Sequence, residues 1–218
     1  MRTFSDNLVD RLFALLVLVI VVYGLYQAGG FVYSRYWPKE TAKTKALITS
    51  YEQRIKDNPN DLNARAQLGQ IYISLKRYDD AAVEFKEALK VSKSYGPARV
   101  GLGLTYMKSG DNEEALVQFQ KEIDTASKGS QAKIDHFLEQ AYYFSGMIYL
   151  EERYYRGAIN NFKKSLAISA NASDTHFHLG EAYEGQGETE LARKSYEKAL
   201  KLEPNYQEAK EALEKING

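Results

Sequence analysis

The sequence predicts an all-α protein: a single N-terminal transmembrane helix, then an α-solenoid of four helix hairpins with a capping helix at each end. Three observations predict it. Residues 12–34, between Arg11 and Arg35, carry no charged side chain. Behind them, small and aromatic residues recur at helical spacing with a period of 34. The four prolines, Pro38, Pro59, Pro97 and Pro204, fall at the boundaries these patterns set, where a residue without a backbone N–H is tolerated.

The first element is a tail and membrane anchor over residues 1–37. Eleven of the fifteen residues from 12 to 26 are Leu, Ile, Val or Phe. About 20 apolar residues in a helix cross the hydrocarbon core of a bilayer. Tyr23, Tyr26, Tyr33, Tyr36 and Trp37 gather at the far end, as side chains do at a membrane–water interface. A cleaved signal peptide is the competing reading. It needs small residues before the cut, and Tyr26-Gln27-Ala28 puts a bulky ring there. Arg2 and Arg11 precede the run, while Arg35, Lys39, Lys43 and Lys45 follow it, so the basic count leans toward a cytoplasmic C-terminal body. Gly24 and Ala28 form one small-xxx-small pair of the kind that lets two such helices pack.

Composition excludes several functions. Without the first 37 residues the chain holds 26 basic and 27 acidic side chains, too balanced for nucleic acid to be the main partner. There is no cysteine, which removes disulfides, thiolate metal sites and cysteine nucleophiles. His176 and His178 are two apart on a predicted helix and diverge, and His136 lies far away in sequence, so no zinc pair is expected. No phosphate-binding loop, dinucleotide fingerprint or nucleophile elbow is present. Catalytic residues, cofactors and metals are therefore all expected to be absent.

Four segments share one pattern. Leu68-Gly69, Tyr72, Ala81, Phe85 and Ala88 open it. Leu102-Gly103, Tyr106, Ala115 and Phe119 repeat it, as do Gly146, Tyr149, Ala158 and Phe162. Leu179-Gly180, Tyr183, Ala192, Tyr196, Ala199 and Pro204 complete it. Gly69 to Gly103 is 34 residues, and so is Gly146 to Gly180. This resembles the tetratricopeptide repeat family, whose repeat has that length and that order of small and aromatic residues. The resemblance implies paired antiparallel helices over residues 62–95, 96–129, 139–172 and 173–206, with turns near 76–79, 109–112, 152–155 and 185–188. Gly110 and Gly187 suit the left-handed residue that ends many helices.

The remaining elements frame the array. Residues 38–61 form a linker and N-terminal cap, with a helix over 41–57 presenting Leu47, Ile48, Tyr51 and Ile55 on one face. Residues 207–218 form the C-terminal cap, with Ala209, Leu213 and Ile216 turned inward. One irregularity stands out. Gly103 to Gly146 is 43 residues, so nine are inserted near 124–138. Ser130 can N-cap a long helix over 131–152. Glu122 occupies a position where the family carries a small residue.

The resemblance also places a binding surface on the concave face, built from the first helix of each repeat. In that register the groove residues are Ala66, Gln70, Val100, Leu104, Met107, Tyr143, Met147, Leu150, Phe177 and Glu181, with Glu184 beyond. The branch of the family that grips a terminal carboxylate needs Lys, Asn and Arg at several of these places. Ala66, Gln70, Val100 and Leu104 stand there instead, and an apolar site cannot supply charge-assisted hydrogen bonds. The expected partner is another protein, as an apolar peptide or helix in the groove, with the bilayer bound through residues 12–34. The expected role is a membrane-anchored scaffold that holds or recruits that partner. The alternatives are a permanent or accessory subunit of a larger membrane complex, and a transient client-binding factor in translocation or envelope assembly.

Overall fold

A computed structural model of the protein describes residues 40–129 and 132–217. The anchor predicted over residues 12–34 lies outside the described residues, as does Ser130. Among the described residues no helix is long and apolar enough to cross a membrane.

Among the described residues ten helices follow one another: α1 (Ala42–Asp57), α2 (Leu62–Ser74), α3 (Tyr78–Val91), α4 (Gly96–Ser109), α5 (Asn112–Ala126), α6 (His136–Glu151), α7 (Tyr155–Ile168), α8 (Ser173–Gln186), α9 (Thr189–Leu202) and α10 (Gln207–Asn217). A 3₁₀ turn, Ala132–Ile134, precedes α6. Helices α2–α3, α4–α5, α6–α7 and α8–α9 pair as hairpins. The first helices α2, α4, α6 and α8 touch in succession and form an inner layer. Each second helix lies between the first helices of its own and the following hairpin, so α3, α5 and α7 form an outer layer.

Each hairpin closes through the same contact. A Cβ on Gly69, Gly103, Gly146 or Gly180 would fall 2.5–2.7 Å from the ring of Phe85, Phe119, Phe162 or Tyr196. The missing side chain is what lets the two helices approach, and the four rings are fully buried. Truncating such a ring costs about 3–5 kcal/mol. Caps fix the helix ends. Thr41, Asp61, Asp111 and Asp135 accept backbone N–H groups at the starts of α1, α2, α5 and α6.

The four turns are the same turn. Lys76, Gly110, Arg153 and Gly187 are equivalent in the repeat, and all are left-handed, with φ of 58°, 91°, 59° and 84°. The next residue donates its N–H back to a tyrosine carbonyl in each case, Arg77 to Tyr72, Asp111 to Tyr106, Tyr154 to Tyr149 and Glu188 to Tyr183. Lys76 and Arg153 hold this conformation without glycine's freedom.

Two expectations are corrected. α6 begins at His136, not at residue 131, because the Asp135 carboxylate accepts from the Phe137 and Leu138 N–H groups at 2.9 and 3.0 Å. On α1, Ile48 is buried and Tyr51 and Ile55 pack on α2 and its neighbours, but Leu47 is exposed. It sits one residue off the face that turns toward the repeat.

Glu122 does occupy the small-residue position, where Ala88, Ser165 and Ala199 stand in the other hairpins. It is buried, and its carboxylate lies 3.6 Å from the Arg99 guanidinium, itself nearly buried. Arg99 also donates through Nη2 to the Lys93 carbonyl. Arg99 Nε and Glu122 Oε2 have no hydrogen-bond partner. Burial pushes the Glu122 carboxyl above the usual range, opposed by Arg99 and reinforced by Asp135.

Candidate peptide-binding groove

Three cavities follow one another along the inner layer. The first, about 440 Å³, lies over α2, α4 and the start of α6. Ala66, Val100, Gly101 and Leu104 line it with Phe137 and Phe144, and the side-chain amides of Asn63, Gln67, Gln70 and Gln140 also line it. No charged residue contributes. The second, about 420 Å³, is one turn further along the same two helices. Met107 and Lys108 of α4, Met147, Ile148, Leu150 and Glu151 of α6, and His178 and Glu181 of α8 line it. The third, about 800 Å³, shares Leu150, Glu151 and Glu181 with the second and extends to α10.

Acid dominates that third cavity. Glu151, Glu181, Glu184, Glu208 and Glu211 line it, against Arg153 and Lys215. Glu184 bonds Lys215 at 2.7 Å and accepts from the Tyr196 hydroxyl at 3.0 Å. The Lys215 ammonium, and then that hydroxyl, hold its carboxyl below the usual range against the effect of burial. Glu181 is 2.7 Å from His178 Nδ1. Leu150 and Ala212 contribute the cavity's apolar surface, over buried Phe177 and Tyr196.

Nine of the ten sequence-predicted groove residues therefore line the trough. Ala66, Gln70, Val100 and Leu104 belong to its first part, and Met107, Met147, Leu150 and Glu181 to its middle. Phe177 joins Leu150 and Glu181 in the last part. Ala66, Val100 and Phe177 are buried, so they form floor and present little surface. Tyr143 is the correction. It lines none of the three cavities and sits in an aromatic cluster, with ring centroids 5.3, 6.1 and 6.0 Å from Phe144, Phe162 and His178. Burial there pushes its hydroxyl pKa up to about 12.

Sequence reasoning missed the amides of Asn63, Gln67 and Gln140, His178 and the contribution of α10. A signal for two of them existed. Gln67, Gly101, Phe144 and His178 each stand two residues before the hairpin glycine of their repeat, so finding one on the inner face places the others. The α10 residues follow from its period. Glu208, Glu211, Ala212 and Lys215 share a face, away from buried Ala209.

Comparison with known proteins agrees with this fold. The tetratricopeptide repeat profile matches residues 67–130, 139–171 and 173–206, together more than half of the chain. The peptidyl-prolyl cis-trans isomerase FKBP4 of Homo sapiens is 30% identical over 117 residues, 51% of this chain and 26% of that protein. The chain thus spans about a quarter of the length of the curated relatives it first matches. Among solved structures, MamA superposes with a TM-score of 0.61 at 24% identity, over 72% of this chain and 86% of that one. YrrB, described as a TPR protein with an unusual peptide-binding site, superposes with a TM-score of 0.59 at 19% identity, over 79% and 84%. At these identities the structural likeness speaks for the fold.

Proposed function

Because the chain belongs to the tetratricopeptide repeat family, we propose that it is a scaffold that holds or recruits a partner polypeptide in the inner trough, tethered to a membrane by residues 12–34. The fold of the family mediates protein–protein interaction. What carries the reading for this chain is the succession of cavities along the inner layer: apolar side chains from α4 and α6 line the first two, with Leu104 and Met107 one turn apart and Phe144 and Met147 likewise. Methionine adapts to varied apolar partners, which suits a surface that takes up a chain segment. The role involves no chemical step. The anchor rests on the run of 23 uncharged residues and the aromatic side chains gathered at its far end.

Tandem affinity purification of the full-length chain and of Leu104→Glu/Met147→Glu tests the groove. A folded double variant should lose the partners that wild type retains. Equal recovery would reject the trough as the binding surface. Alkaline carbonate extraction of the membranes tests the tether, and protease protection of the repeats in separate, untreated sealed vesicles tests its orientation. Release by carbonate would reject the anchor.

A second reading, a permanent subunit of a larger membrane complex, draws on the outer layer. Val83 and Val117 are equivalent positions of α3 and α5, and both are exposed, 54% and 40%. A constitutive neighbour covering that face would resist washing with mild detergent and salt, and Val83→Glu/Val117→Glu would release it.

A further inference from the structure

We infer that the partner segment is amphipathic with a cationic end: an apolar stretch over Met107, Met147 and Leu150, followed by lysines or arginines seated in the α8–α10 cavity. The inference rests on the trough being the binding surface and specifies what it accepts. Charge complementarity carries it. The trough is graded along its length, from a cavity with no charged lining residue to one lined by five glutamates and two cations. One of those cations, Lys215, is already engaged with Glu184, which leaves Arg153 alone to offset Glu151, Glu181, Glu208 and Glu211. Such a basin repels acidic segments and free carboxylates, and attracts basic ones before contact.

The shape of the basin agrees with its charge. Leu150 and Ala212 supply apolar surface over buried Phe177, and Glu208 and Glu211 stand exposed beside it. Lysine and arginine side chains have this same division, a hydrocarbon stem that packs and a charged head that stays at the rim. Glu208 and Glu211 come from α10, so the helix that caps the array also sets the specificity of its groove. Lys108 lines the middle cavity from α4, on the side away from the basin. It discourages a basic segment from seating in the reverse direction.

Selection of a phage-displayed library of random 16-residue peptides on the immobilised full-length chain tests this. Enriched peptides should place two or more Lys or Arg beside Leu, Met or Phe at one end. Their affinity should fall about tenfold between low and physiological-to-high salt, as desolvated apolar contacts persist and charge contacts are screened. Glu208→Gln/Glu211→Gln, which leaves the apolar lining intact, should weaken a recovered peptide about fivefold with unchanged circular dichroism. Leu104→Glu/Met147→Glu should abolish binding of the same peptide. Enrichment of neutral or acidic sequences, or basic peptides indifferent to the Glu208/Glu211 change, overturns the cationic end while the trough stands. If no recovered peptide depends on Leu104 and Met147, the trough itself is wrong.

Discussion

The first two seams between hairpins are built differently, although the repeat offers both the same positions. At the first, Ala88 is buried and the ring of Phe85 is covered from the next hairpin by the backbone of Gly101. At the second, Glu122 replaces the alanine, and the equivalent of Gly101 is Phe144, which stacks on Phe119 at 5.7 Å and 23°. The third follows the second, with His178 stacked on Phe162 at 6.1 Å and 23°. At the second and third seams a ring thus stands where the backbone of Gly101 stands at the first. The difference teaches that the residue two before the hairpin glycine has two tasks. It contacts the buried ring of the preceding hairpin, and it lines the trough, Gly101 and Phe144 in the first cavity and His178 in the second.

The largest expected effect breaks the second seam. Glu122→Ala restores the residue type of the first seam but strands Arg99, and should destabilise the chain by about 3 kcal/mol in urea titration. Arg99→Leu/Glu122→Ala removes both charges and should return most of that loss, since a buried pair with unpartnered atoms adds little over apolar packing. A double variant as unstable as the single would mean the pair organises the seam.

Substitution at the shared position sharpens the contrast. Gly101→Leu drives a side chain into the Phe85 ring and should lose about 2 kcal/mol. His178→Leu keeps a side chain of similar size over Phe162 and should lose less than about 1 kcal/mol. Equal losses would show that the two seams tolerate bulk alike.

The turns should respond more weakly and in the opposite sense. Lys76→Gly and Arg153→Gly match Gly110 and Gly187, relieve left-handed backbone, and should each stabilise by about 0.5–1 kcal/mol. Gly110→Ala should destabilise by a similar amount, read from the same urea midpoints.

pH gives the smallest effect and separates two glutamates. The Glu184 carboxyl is held low by Lys215, so its contribution is present above the ordinary glutamate range and fades as pH falls through the lowered value. The gap in urea midpoint between wild type and Lys215→Met should therefore close as pH is lowered. Glu122 has the reverse sign. Its raised value means that protonation favours the folded chain, and that this support is lost as pH rises through the folded value. The midpoint of Glu122→Gln relative to wild type should shift across that window in the opposite sense to Lys215→Met.

The repeat made most of this fold readable from sequence. Gly69, Gly103, Gly146 and Gly180 mark where helices touch, and the aromatic residues 16 positions later mark what they touch. The start of α6 was not readable, because Ser130 and Asp135 are both good caps and only the paired N–H groups of Phe137 and Leu138 decide for Asp135. Tyr143 was misplaced for a related reason. Register puts it on the inner helix, but Phe162 and His178 offer its ring a packing site, and Phe144 takes the place facing the trough. The acid of the last cavity was half visible. Glu181 and Glu184 follow from the repeat, whereas Glu208 and Glu211 belong to a helix outside it and reach the trough only because α10 packs across its end.

The most direct test of the account is a photo-crosslinking scan in cells. Benzoylphenylalanine would be placed singly at Leu104, Met147 and Leu150 in the trough and at Val83, Val117 and Leu191 on the outer helices. One shared polypeptide adduct is expected from the three trough positions, absent or different at the outer three. The same adduct from the outer positions, with none from the trough, would contradict it.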